Sequence, residues 1–359
     1  MKFSIISFIL TDDCNFRCAY CFQTKSRTYI SSSTIEKSAR FFYPYLTPVA
    51  SVVFFGGEPL MAMDNIKRTV DIFDSLKRVQ PKEISYYITT NGSLITPEIL
   101  QFFDRYKFEL MLSFDGFTQE TARCADSFER CRNLIREIPK YPGIHFCTNS
   151  VFTPENVNTL SATLISIIED GVNDTLLSIS PYHPWGETQL STLEEQLNVL
   201  VDYLTRYFKV HGIIPVRSFR PSSVPKPVDH RFVCTAGNDR INVDPLGNIW
   251  GCHLFYDLVK ERKDIEDANG YLFGHIDDFI ANHQDLYPKA MEYYSDLRQD
   301  CFFASEKFCF TCEEVEHCGV CPVNAAYTTH LIGKIPPHIC LLNKIQYLAK
   351  IRLHNLIKA

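Results

Sequence analysis

The sequence predicts an α/β fold, in which a partial (β/α)6 parallel barrel is followed by a cysteine-rich C-terminal domain. Two observations lead to this prediction. Over the first 185 residues, short segments rich in Phe, Ile, Leu and Val alternate with helical stretches, which is typical of buried parallel strands joined by helices. Beyond residue 230 the alternation stops, and cysteines become frequent.

Six apolar segments are expected to form the strands of the barrel. Six strand–helix units are fewer than the eight of a closed barrel, so we expect a partial one. The first segment ends directly in Thr11-Asp12-Asp13-Cys14 and has no small-residue cleavage site, which favours a buried strand over a signal peptide. The six segments are Phe3–Leu10, Ser51–Phe55, Ile84–Thr89, Phe108–Phe114, Ile144–Cys147 and Thr175–Ile179.

Composition excludes some classes of function. The chain has 359 residues, a formal charge of −6, 45% hydrophobic and 22% charged residues, as in ordinary globular proteins. It shows no basic stripe for nucleic acid and no apolar run near the roughly 20 residues of a membrane span. Most of its 14 cysteines lie close together in sequence. This spacing suits metal binding in a reducing compartment, so we expect a cytoplasmic protein.

Polar and glycine-rich turns follow the predicted strands. Because the carboxyl ends of parallel strands form the active face of α/β barrels, these turns are expected to converge on one site. The turns are Asp12-Asp13-Cys14, Gly56-Gly57-Glu58-Pro59, Thr90-Asn91-Gly92, Ser113-Phe114-Asp115-Gly116, Thr148-Asn149-Ser150 and Ser180-Pro181-Tyr182.

The first turn carries Cys14, Cys18 and Cys21 in a C-x3-C-x2-C arrangement. Three thiolates within eight residues can hold one compact metal centre. Iron–sulfur clusters usually take four cysteines, and no fourth lies nearby in sequence. A cluster at this turn is therefore expected to leave one iron open to a ligand that is not protein.

These motifs resemble those of the radical S-adenosylmethionine (SAM) enzymes, whose cluster motif has an aromatic residue where Tyr20 stands and whose second unit carries Gly-Gly-Glu-Pro. The resemblance implies that Cys14, Cys18 and Cys21 ligate a 4Fe–4S cluster, whose open iron is chelated by SAM. It also implies that an electron from the cluster cleaves SAM to a 5′-deoxyadenosyl radical, which abstracts a substrate hydrogen. The implied cofactor-binding residues are Tyr20, Gly56, Gly57, Glu58, Asn91, Ser113, Asp115 and Asn149.

The C-terminal third resembles the SPASM extension of that family, which carries two auxiliary 4Fe–4S clusters. By this resemblance Cys234, Cys252 and Cys321 serve the first auxiliary cluster, and Cys309, Cys312, Cys318 and Cys340 serve the second. Structural zinc is the alternative, because C-x2-C pairs also form tetrahedral sites. The first set has three thiolates, so either one iron is open or a group such as Cys301 or Asp239 completes it.

We expect residues 1–215 to form the barrel, 216–230 a linker, 231–345 the SPASM domain and 346–359 a C-terminal helix. A hairpin is expected to turn at residues 245–248, where Pro-Leu-Gly-Asn stands between two apolar segments.

SPASM proteins mostly modify peptides or proteins, so two reactions compete. One is thioether or carbon–carbon crosslinking of a ribosomally made peptide. The other is anaerobic sulfatase maturation, which forms formylglycine from Cys or Ser. The sulfatase maturases carry a candidate catalytic Asp directly after the cysteine that corresponds to Cys252, where this chain has His253. That difference favours peptide maturation and makes His253 a candidate catalytic residue.

A hypothesis from another class is a non-catalytic iron–sulfur electron-transfer protein. The expected partners of an enzyme are a peptide or protein substrate, a reductant such as flavodoxin or ferredoxin, and a separate leader-binding protein. Arg217, Arg220 and His253 are candidates for substrate contact, because they are expected to lie between the two domains.

Overall fold

A computed structural model describes residues 1–221, 234–261, 265–298, 301–315 and 318–358, apart from the side chains of residues 266 and 267. Its main feature is a nine-stranded sheet in the order β6-β5-β4-β3-β2-β1-β7-β8-β9. The strands are β1 (Phe3–Thr11), β2 (Leu46–Gly56), β3 (Glu83–Thr90), β4 (Glu109–Ser113), β5 (His145–Phe152), β6 (Thr175–Ile179), β7 (Arg240–Val243), β8 (Asn248–Trp250) and β9 (Leu272–His275). A separate two-stranded hairpin joins β10 (Phe303–Ala304) to β11 (Lys307–Phe308).

Helices follow the strands in the barrel region and continue through the C-terminal part. They are α1 (Ser32–Phe42), α2 (Met63–Val79), α3 (Pro97–Arg105), α4 (Gln119–Ala122), α5 (Phe128–Glu137), α6 (Leu160–Glu169), α7 (Glu187–His211), α8 (His253–Glu261), α9 (Ile276–Ser295), α10 (Pro322–Thr329) and α11 (Pro337–Lys358). Among the described helices, none is both long enough and apolar enough to cross a membrane.

The six strands predicted from the apolar segments are confirmed, and each pairs in parallel with its neighbour in the sequence. Their apolar side chains fill the core, where the rings of Phe54, Tyr86 and Phe108 stack on one another at centroid distances of 5.3 to 6.3 Å. Since the strands run in the same direction, the turns that follow them lie at one edge of the sheet. This is the edge on which the sequence places its unusual residues.

The C-terminal region extends the same sheet rather than forming a separate one. Strand β7 pairs in parallel with β1, from Ile5 opposite Arg240 to Phe8 opposite Val243. Strands β8 and β9 then continue the sheet in antiparallel fashion. The hairpin predicted at residues 245–248 is confirmed as the connection between β7 and β8. Central strand β1, which leads into the first cysteine turn, is therefore covered on both edges.

The structure contradicts one predicted boundary and describes only part of the predicted linker. The last helix begins at Pro337 and not at 346, so that the start expected at 346 is wrong; Pro337 suits a first helical position because proline has no N–H to leave unpaired there. Of the linker expected at 216–230, residues 217–219 form a short 3-10 turn, while 222–230 lie outside the described residues, as do 231–233. The four-part division of the chain stays a prediction.

Candidate active site

One pocket at the carboxyl ends of the strands is lined by all three cysteines of the first turn, Cys14, Cys18 and Cys21. No other cysteine lines it among the described residues. Most of the residues predicted to bind a cofactor lie around the same pocket, together with an arginine that the sequence reasoning did not select. The lining includes Tyr20, Gly56, Gly57, Glu58, Asn91, Ser113 and Arg123.

The Gly-Gly-Glu-Pro turn lies directly against the turn that carries the cysteines. A Cβ atom added to Gly56 would lie 2.3 Å from the carbonyl oxygen of Thr11, and one on Gly57 would lie 2.2 Å from that of Asp13. The backbone N–H of Gly57 donates to Thr11 and that of Glu58 donates to Asp13, both at 2.8 Å. Only glycine allows this approach, which fixes the second turn to the first.

The carboxylate of Glu58 is buried and joins the second turn to the third. It accepts hydrogen bonds from Thr90 Oγ1 at 2.7 Å, from the Asn91 N–H at 2.8 Å and from the Leu60 N–H at 3.0 Å. Burial raises the pKa of Glu58, and these hydrogen bonds oppose the shift. Both carboxylate oxygens accept hydrogen bonds from these donors, so the side chain stabilises the pocket wall.

Asn91 connects the third turn to the cysteine loop. Its amide Nδ2 donates to Asn15 Oδ1 at 2.9 Å, and Asn15 Nδ2 donates in turn to Ser93 Oγ at 2.7 Å. The Ser93 N–H closes the network on Asn91 Oδ1 at 2.9 Å. Asn15, which follows Cys14, is therefore held by two side chains that lie 76 and 78 residues further along the chain.

Asp115 does not line the pocket; it holds two residues that do. The carboxylate is fully buried and accepts from Arg123 Nε at 2.7 Å, Arg123 Nη2 at 3.0 Å and the Tyr20 hydroxyl at 2.5 Å. The Val151 N–H donates to it at 2.8 Å. Burial acts to lower the pKa of Arg123 and the Asp115 carboxylate to raise it, with a net shift upwards. The guanidinium is therefore a permanent cation in the wall of the pocket.

Sequence reasoning missed Arg123, because its position carries no motif. It follows the four-residue helix α4, and neither a repeat nor a cysteine spacing marks it. The available signal was Asp115 of the fourth turn, because a buried carboxylate needs a cationic partner nearby in space. The sequence does not indicate which arginine is that partner.

Burial also affects two thiols of the first turn. It raises the pKa of Cys14, and it raises the pKa of Cys18 to about 11 despite the opposing charge of Arg123. Thiols of this kind are protonated at neutral pH, so a metal centre must displace their protons as it binds. The Phe16 N–H donates to Cys14 Sγ at 3.4 Å, which favours the thiolate when a metal holds it.

Other predicted residues lie outside the pocket lining. The Asn149 side chain on β5 accepts a hydrogen bond from Ser178 Oγ at 2.8 Å. The ring of His253 packs against Phe55 with centroids 4.5 Å apart, and burial lowers its pKa to about 4.

The placement expected for two arginines is wrong. Arg217 donates to the Asp174 carboxylate from Nε at 2.7 Å and from Nη2 at 2.6 Å. Arg220 Nη2 lies 2.9 Å from the same carboxylate. Asp174 directly precedes β6, so the two arginines lie at the amino end of that strand, opposite the pocket. Pairing of the two guanidiniums with one half-buried carboxylate accounts for their position better than substrate contact.

The cysteines of the C-terminal region form two groups. In the middle group, the charges of Cys234 and Cys321 both raise the pKa of Cys252, and the charge of Cys234 raises that of Cys321. Burial is the largest cause and raises the pKa of Cys252 to about 12. The two suggested fourth ligands have different surroundings. Cys301 lines a different cavity, and Asp239 forms an ion pair with Arg240 at 3.0 Å, although its charge reaches Cys234.

The last group consists of Cys309, Cys312, Cys318 and Cys340, which line one cavity of about 440 Å³ with mostly apolar walls. Over the described ranges, no three His, Cys, Asp or Glu side chains come close enough to share a single metal ion. A zinc ion would need four ligands within about 2.3 Å of it. Four thiols around one cavity are a donor set that both a zinc ion and an iron–sulfur cluster accept.

Helix α8 connects the middle cysteine group to the first turn. It begins directly after Cys252, and its Tyr256 hydroxyl and Lys260 Nζ donate to Asp12 at 2.8 and 2.7 Å. Glu261 accepts from the Thr24 N–H at 2.7 Å. Hydrogen bonds from one helix of the C-terminal region therefore hold the cysteine loop at both ends, at Asp12 and at Thr24.

Residues 8–167 match the model of the Radical SAM superfamily. The chain carries a radical SAM domain. Enzymes of this superfamily use SAM and a 4Fe–4S cluster. The matched residues begin within β1 and end within α6, and they include every turn that lines the pocket.

Among curated proteins, the chain is similar to the radical SAM cyclopropyl synthase TigE of Paramaledivibacter caminithermalis. The two are 24% identical over 347 residues, which cover 88% of this chain and 67% of that protein. The matched length extends past the radical SAM domain, so it takes in part of the cysteine-rich region.

Solved structures share the whole fold. The complex of anSMEcpe with AdoMet and the peptide Cp18Cys superposes with a TM-score of 0.77 over all of this chain and 99% of that one, at 19% identity. Streptococcus suis SuiB bound to SAM gives a TM-score of 0.64 over 94% of this chain and 77% of that one, at 17% identity. At these identities the likeness establishes the radical SAM fold.

The residues of the pocket fit the two cofactors of the superfamily. Three thiols face the pocket and no fourth does among the described residues, which leaves a cluster one iron free for a further ligand. A buried guanidinium and the backbone of a glycine turn provide a cation and polar groups for a zwitterionic amino acid such as the methionine part of SAM. The donor set therefore suits a cluster with SAM beside it.

Proposed function

We propose that this protein is a radical SAM peptide maturase, which removes hydrogen from a ribosomally made peptide and leaves a thioether or carbon–carbon crosslink. One observation carries the proposal: Cys14, Cys18 and Cys21 share a pocket with the buried cation Arg123 and the glycine turn at Gly56 and Gly57. When bound, the cluster and SAM supply reductive cleavage of a carbon–sulfur bond and a 5′-deoxyadenosyl radical.

The chain's own residues bind and orient these groups. Cys14, Cys18 and Cys21 hold the cluster through their thiolates. Arg123, fixed by Asp115, binds the carboxylate of SAM, because a guanidinium already desolvated and oriented loses little on pairing with a carboxylate. The backbone of residues 56–58 receives the ammonium group. The Tyr20 hydroxyl donates to Asp115, which fixes the ring at the pocket wall.

The two C-terminal cysteine groups are proposed to hold auxiliary 4Fe–4S clusters in a SPASM domain. Their proximity within the middle group and the shared cavity of the last group support this assignment, with structural zinc as the alternative. A low-potential carrier such as flavodoxin or ferredoxin is the proposed reductant. The middle group provides three thiols, so its cluster is proposed to have one iron without a cysteine.

A peptide substrate is supported by what the similar proteins bind. The anSMEcpe structure contains the peptide Cp18Cys, and SuiB has been solved with its precursor peptide SuiA. The latter superposes with a TM-score of 0.59 over 94% of this chain and 76% of that one, at 17% identity. The name of TigE also indicates new carbon–carbon bonds. A separate leader-binding protein is proposed to present the peptide.

Sulfatase maturation is the second candidate, since anSMEcpe is a sulfatase maturase whose structure matches this chain throughout. Against it stands His253, at the position where we expect those enzymes to carry a catalytic aspartate. Its ring packs on Phe55 and its pKa is lowered to about 4, so it is a poor proton acceptor.

The test uses anaerobically reconstituted protein with SAM and dithionite. We expect release of 5′-deoxyadenosine, and intact clusters without any release would leave the electron-transfer protein as the correct class. Short cysteine-rich peptides encoded beside the gene are then added, and a sulfatase-derived peptide is added in parallel. Mass spectrometry is expected to find a loss of two hydrogens from the former; an aldehyde formed only on the latter would make the protein a sulfatase maturase.

A further inference from the structure

The proposed chemistry requires a proton acceptor close to the pocket. Thioether formation and formylglycine formation remove the same hydrogen atom, electron and proton from the peptide. The peptide loses a hydrogen atom to the 5′-deoxyadenosyl radical, an electron to a one-electron acceptor of the iron–sulfur class, and a proton from a thiol or hydroxyl. A protein group that receives this proton must be near the reacting carbon and must not already be saturated by hydrogen bonds.

The buried acids that face the pocket or flank its first turn are already occupied. Asp115 accepts from four donors and Glu58 from three. Asp12 accepts from Tyr256, Lys260 and Ser26. Protonation of any of these carboxylates would break bonds that hold the pocket together.

Asp257 differs from them. It lies on α8, one turn after His253, and 3% of its surface is exposed. The hydrogen bonds described for its carboxylate come from a single donor, the side-chain amide of Gln23, at 3.3 and 3.5 Å. These distances are long for a charged acceptor, so the carboxylate has capacity for a further hydrogen.

Asp257 also lies next to the pocket. Gln23 lines the pocket, and its carbonyl accepts from the pocket-lining Lys25 at 3.3 Å. Tyr182, from the turn after β6, and Tyr327, from α10, are also near Asp257, because its charge raises the pKa of both hydroxyls. The rings of these tyrosines pack 4.9 Å apart, beside Phe22.

We propose that Asp257 is the proton acceptor for the peptide substrate, and that the group it deprotonates is a thiol or hydroxyl of the side chain that is modified. This inference rests on the proposed function. In the step, the bond between the substrate sulfur or oxygen and its hydrogen breaks. The proton joins a carboxylate oxygen of Asp257, and the electron pair remains on the substrate atom, so that the step itself consumes no oxidant.

The charges around Asp257 suit this role. Burial raises its pKa to about 7, and the Asp12 carboxylate adds to the shift; the Gln23 amide, Lys260 and Lys25 oppose it. Among the described residues, the charge of Asp257 also acts on the hydroxyls of Tyr182, Tyr327 and Tyr256. An acid that titrates near neutral pH accepts a proton in one step of a cycle and releases it in another.

The first test reads the carboxyl group directly. Infrared spectra of the reconstituted, SAM-loaded protein are titrated for the wild type, for Asp257→Asn and for Asp285→Asn, which changes an exposed acid on α9. We expect a protonated-carboxyl band that titrates near pH 7 in the wild type and in Asp285→Asn and is missing from Asp257→Asn. A wild type without that band, or a band that persists in Asp257→Asn, would overturn the assignment.

The second test separates this assignment from the proposed function. Peptide-independent release of 5′-deoxyadenosine is expected to be equal in the wild type and in the control Asp285→Asn; a wild type without release fails the proposed function instead. With a cysteine peptide that the wild type modifies, Asp257→Asn is expected to form at least about tenfold less product per deoxyadenosine, with partial recovery in Asp257→Glu. If the wild type and Asp257→Asn formed equal amounts of product per deoxyadenosine between about pH 6 and 9, the role of Asp257 would be contradicted.

Discussion

Arg123 and Asp115 form a two-bond ion pair at the wall of the pocket, with Nε–Oδ2 at 2.7 Å and Nη2–Oδ1 at 3.0 Å. The side chain of Arg123 is 7% exposed and that of Asp115 is fully buried. The pair of Arg132 with Asp170 has the same two distances, but its side chains are 32% and 13% exposed. The two pairs thus differ in burial and position rather than in geometry, and the second is a built-in control for the first.

Replacement of Arg123 by Lys is expected to weaken SAM binding at least tenfold, or by about 1.4 kcal/mol, because lysine cannot bind Asp115 with two nitrogens and present a further donor to a carboxylate. Lysine keeps the buried aspartate paired, whereas alanine would leave it alone at a cost of about 3 to 5 kcal/mol. Equilibrium dialysis with labelled SAM on the reconstituted protein measures the change. Arg132→Lys is expected to bind SAM as the wild type does, and an equal loss in both variants would mean that Arg123 acts through stability alone.

Replacement of Gly57 by Ala is expected to reduce iron at the first cysteine turn. The new Cβ would meet the carbonyl oxygen of Asp13 at 2.2 Å, far inside van der Waals contact, so the backbone beside Cys14 must move. Gly186→Ala is the control, since its Cβ would meet the flexible side chain of Gln189. Iron content and the cluster's spectrum with SAM follow the change; full iron in Gly57→Ala would show that the close approach of the turns is dispensable.

The last cysteine group is expected to hold iron and not zinc. Double replacement of Cys309 and Cys312 by Ala should lower iron by about four atoms per chain, because a 4Fe–4S cluster is normally held by four cysteines. Metal analysis by mass spectrometry reads both elements. Cys124→Ala, a thiol outside all three groups, should leave iron unchanged. One zinc ion per chain that disappears in the double variant would assign the cavity to zinc.

Asp257→Asn is expected to stabilise the protein at alkaline pH. An unfolded aspartate titrates near 3.9, whereas burial raises the pKa of Asp257 to about 7. Between these values the folded state holds a proton that the unfolded state releases, so the free energy of unfolding falls by about 1.4 kcal/mol per pH unit and then levels off above the folded pKa.

The variant does not titrate, so its advantage over the wild type should be roughly 3 kcal/mol larger at about pH 8 than at about pH 5. Denaturant unfolding at both values measures this difference, with Asp285→Asn as the control for an exposed acid. A difference that is independent of pH would mean that Asp257 titrates in its ordinary range.

Much of the fold follows from local pattern. The six parallel strands appear as apolar segments because both faces of a parallel sheet are buried, and the 245–248 hairpin carries its own turn residues. The sequence does not indicate that β7 joins β1, since a strand pairing across more than 230 residues has no local signal. The start of α11 was predicted too late, because Pro336-Pro337 resembles a loop although proline suits a first helical position.

The parts of the site that lie in sequence motifs could be predicted from the sequence, and the residues outside those motifs could not. Cys14, Cys18 and Cys21 share a pocket because they share a turn, and Gly57 approaches Asp13 because consecutive parallel strands end side by side. Arg123 and Asp257 become visible only in three dimensions. The first depends on the path of the chain after α4, and the second on the docking of α8 against Gln23.

The central claim is that the first cysteine turn binds a cluster at which SAM is cleaved. The measurement is 5′-deoxyadenosine released by dithionite from anaerobically reconstituted protein, compared with a variant in which Cys14, Cys18 and Cys21 are all replaced by Ala. We expect release by the wild type and none by the variant, which should retain the iron of the C-terminal cysteine groups. Release that persists in the variant, or a wild type with full iron and no release, would contradict it.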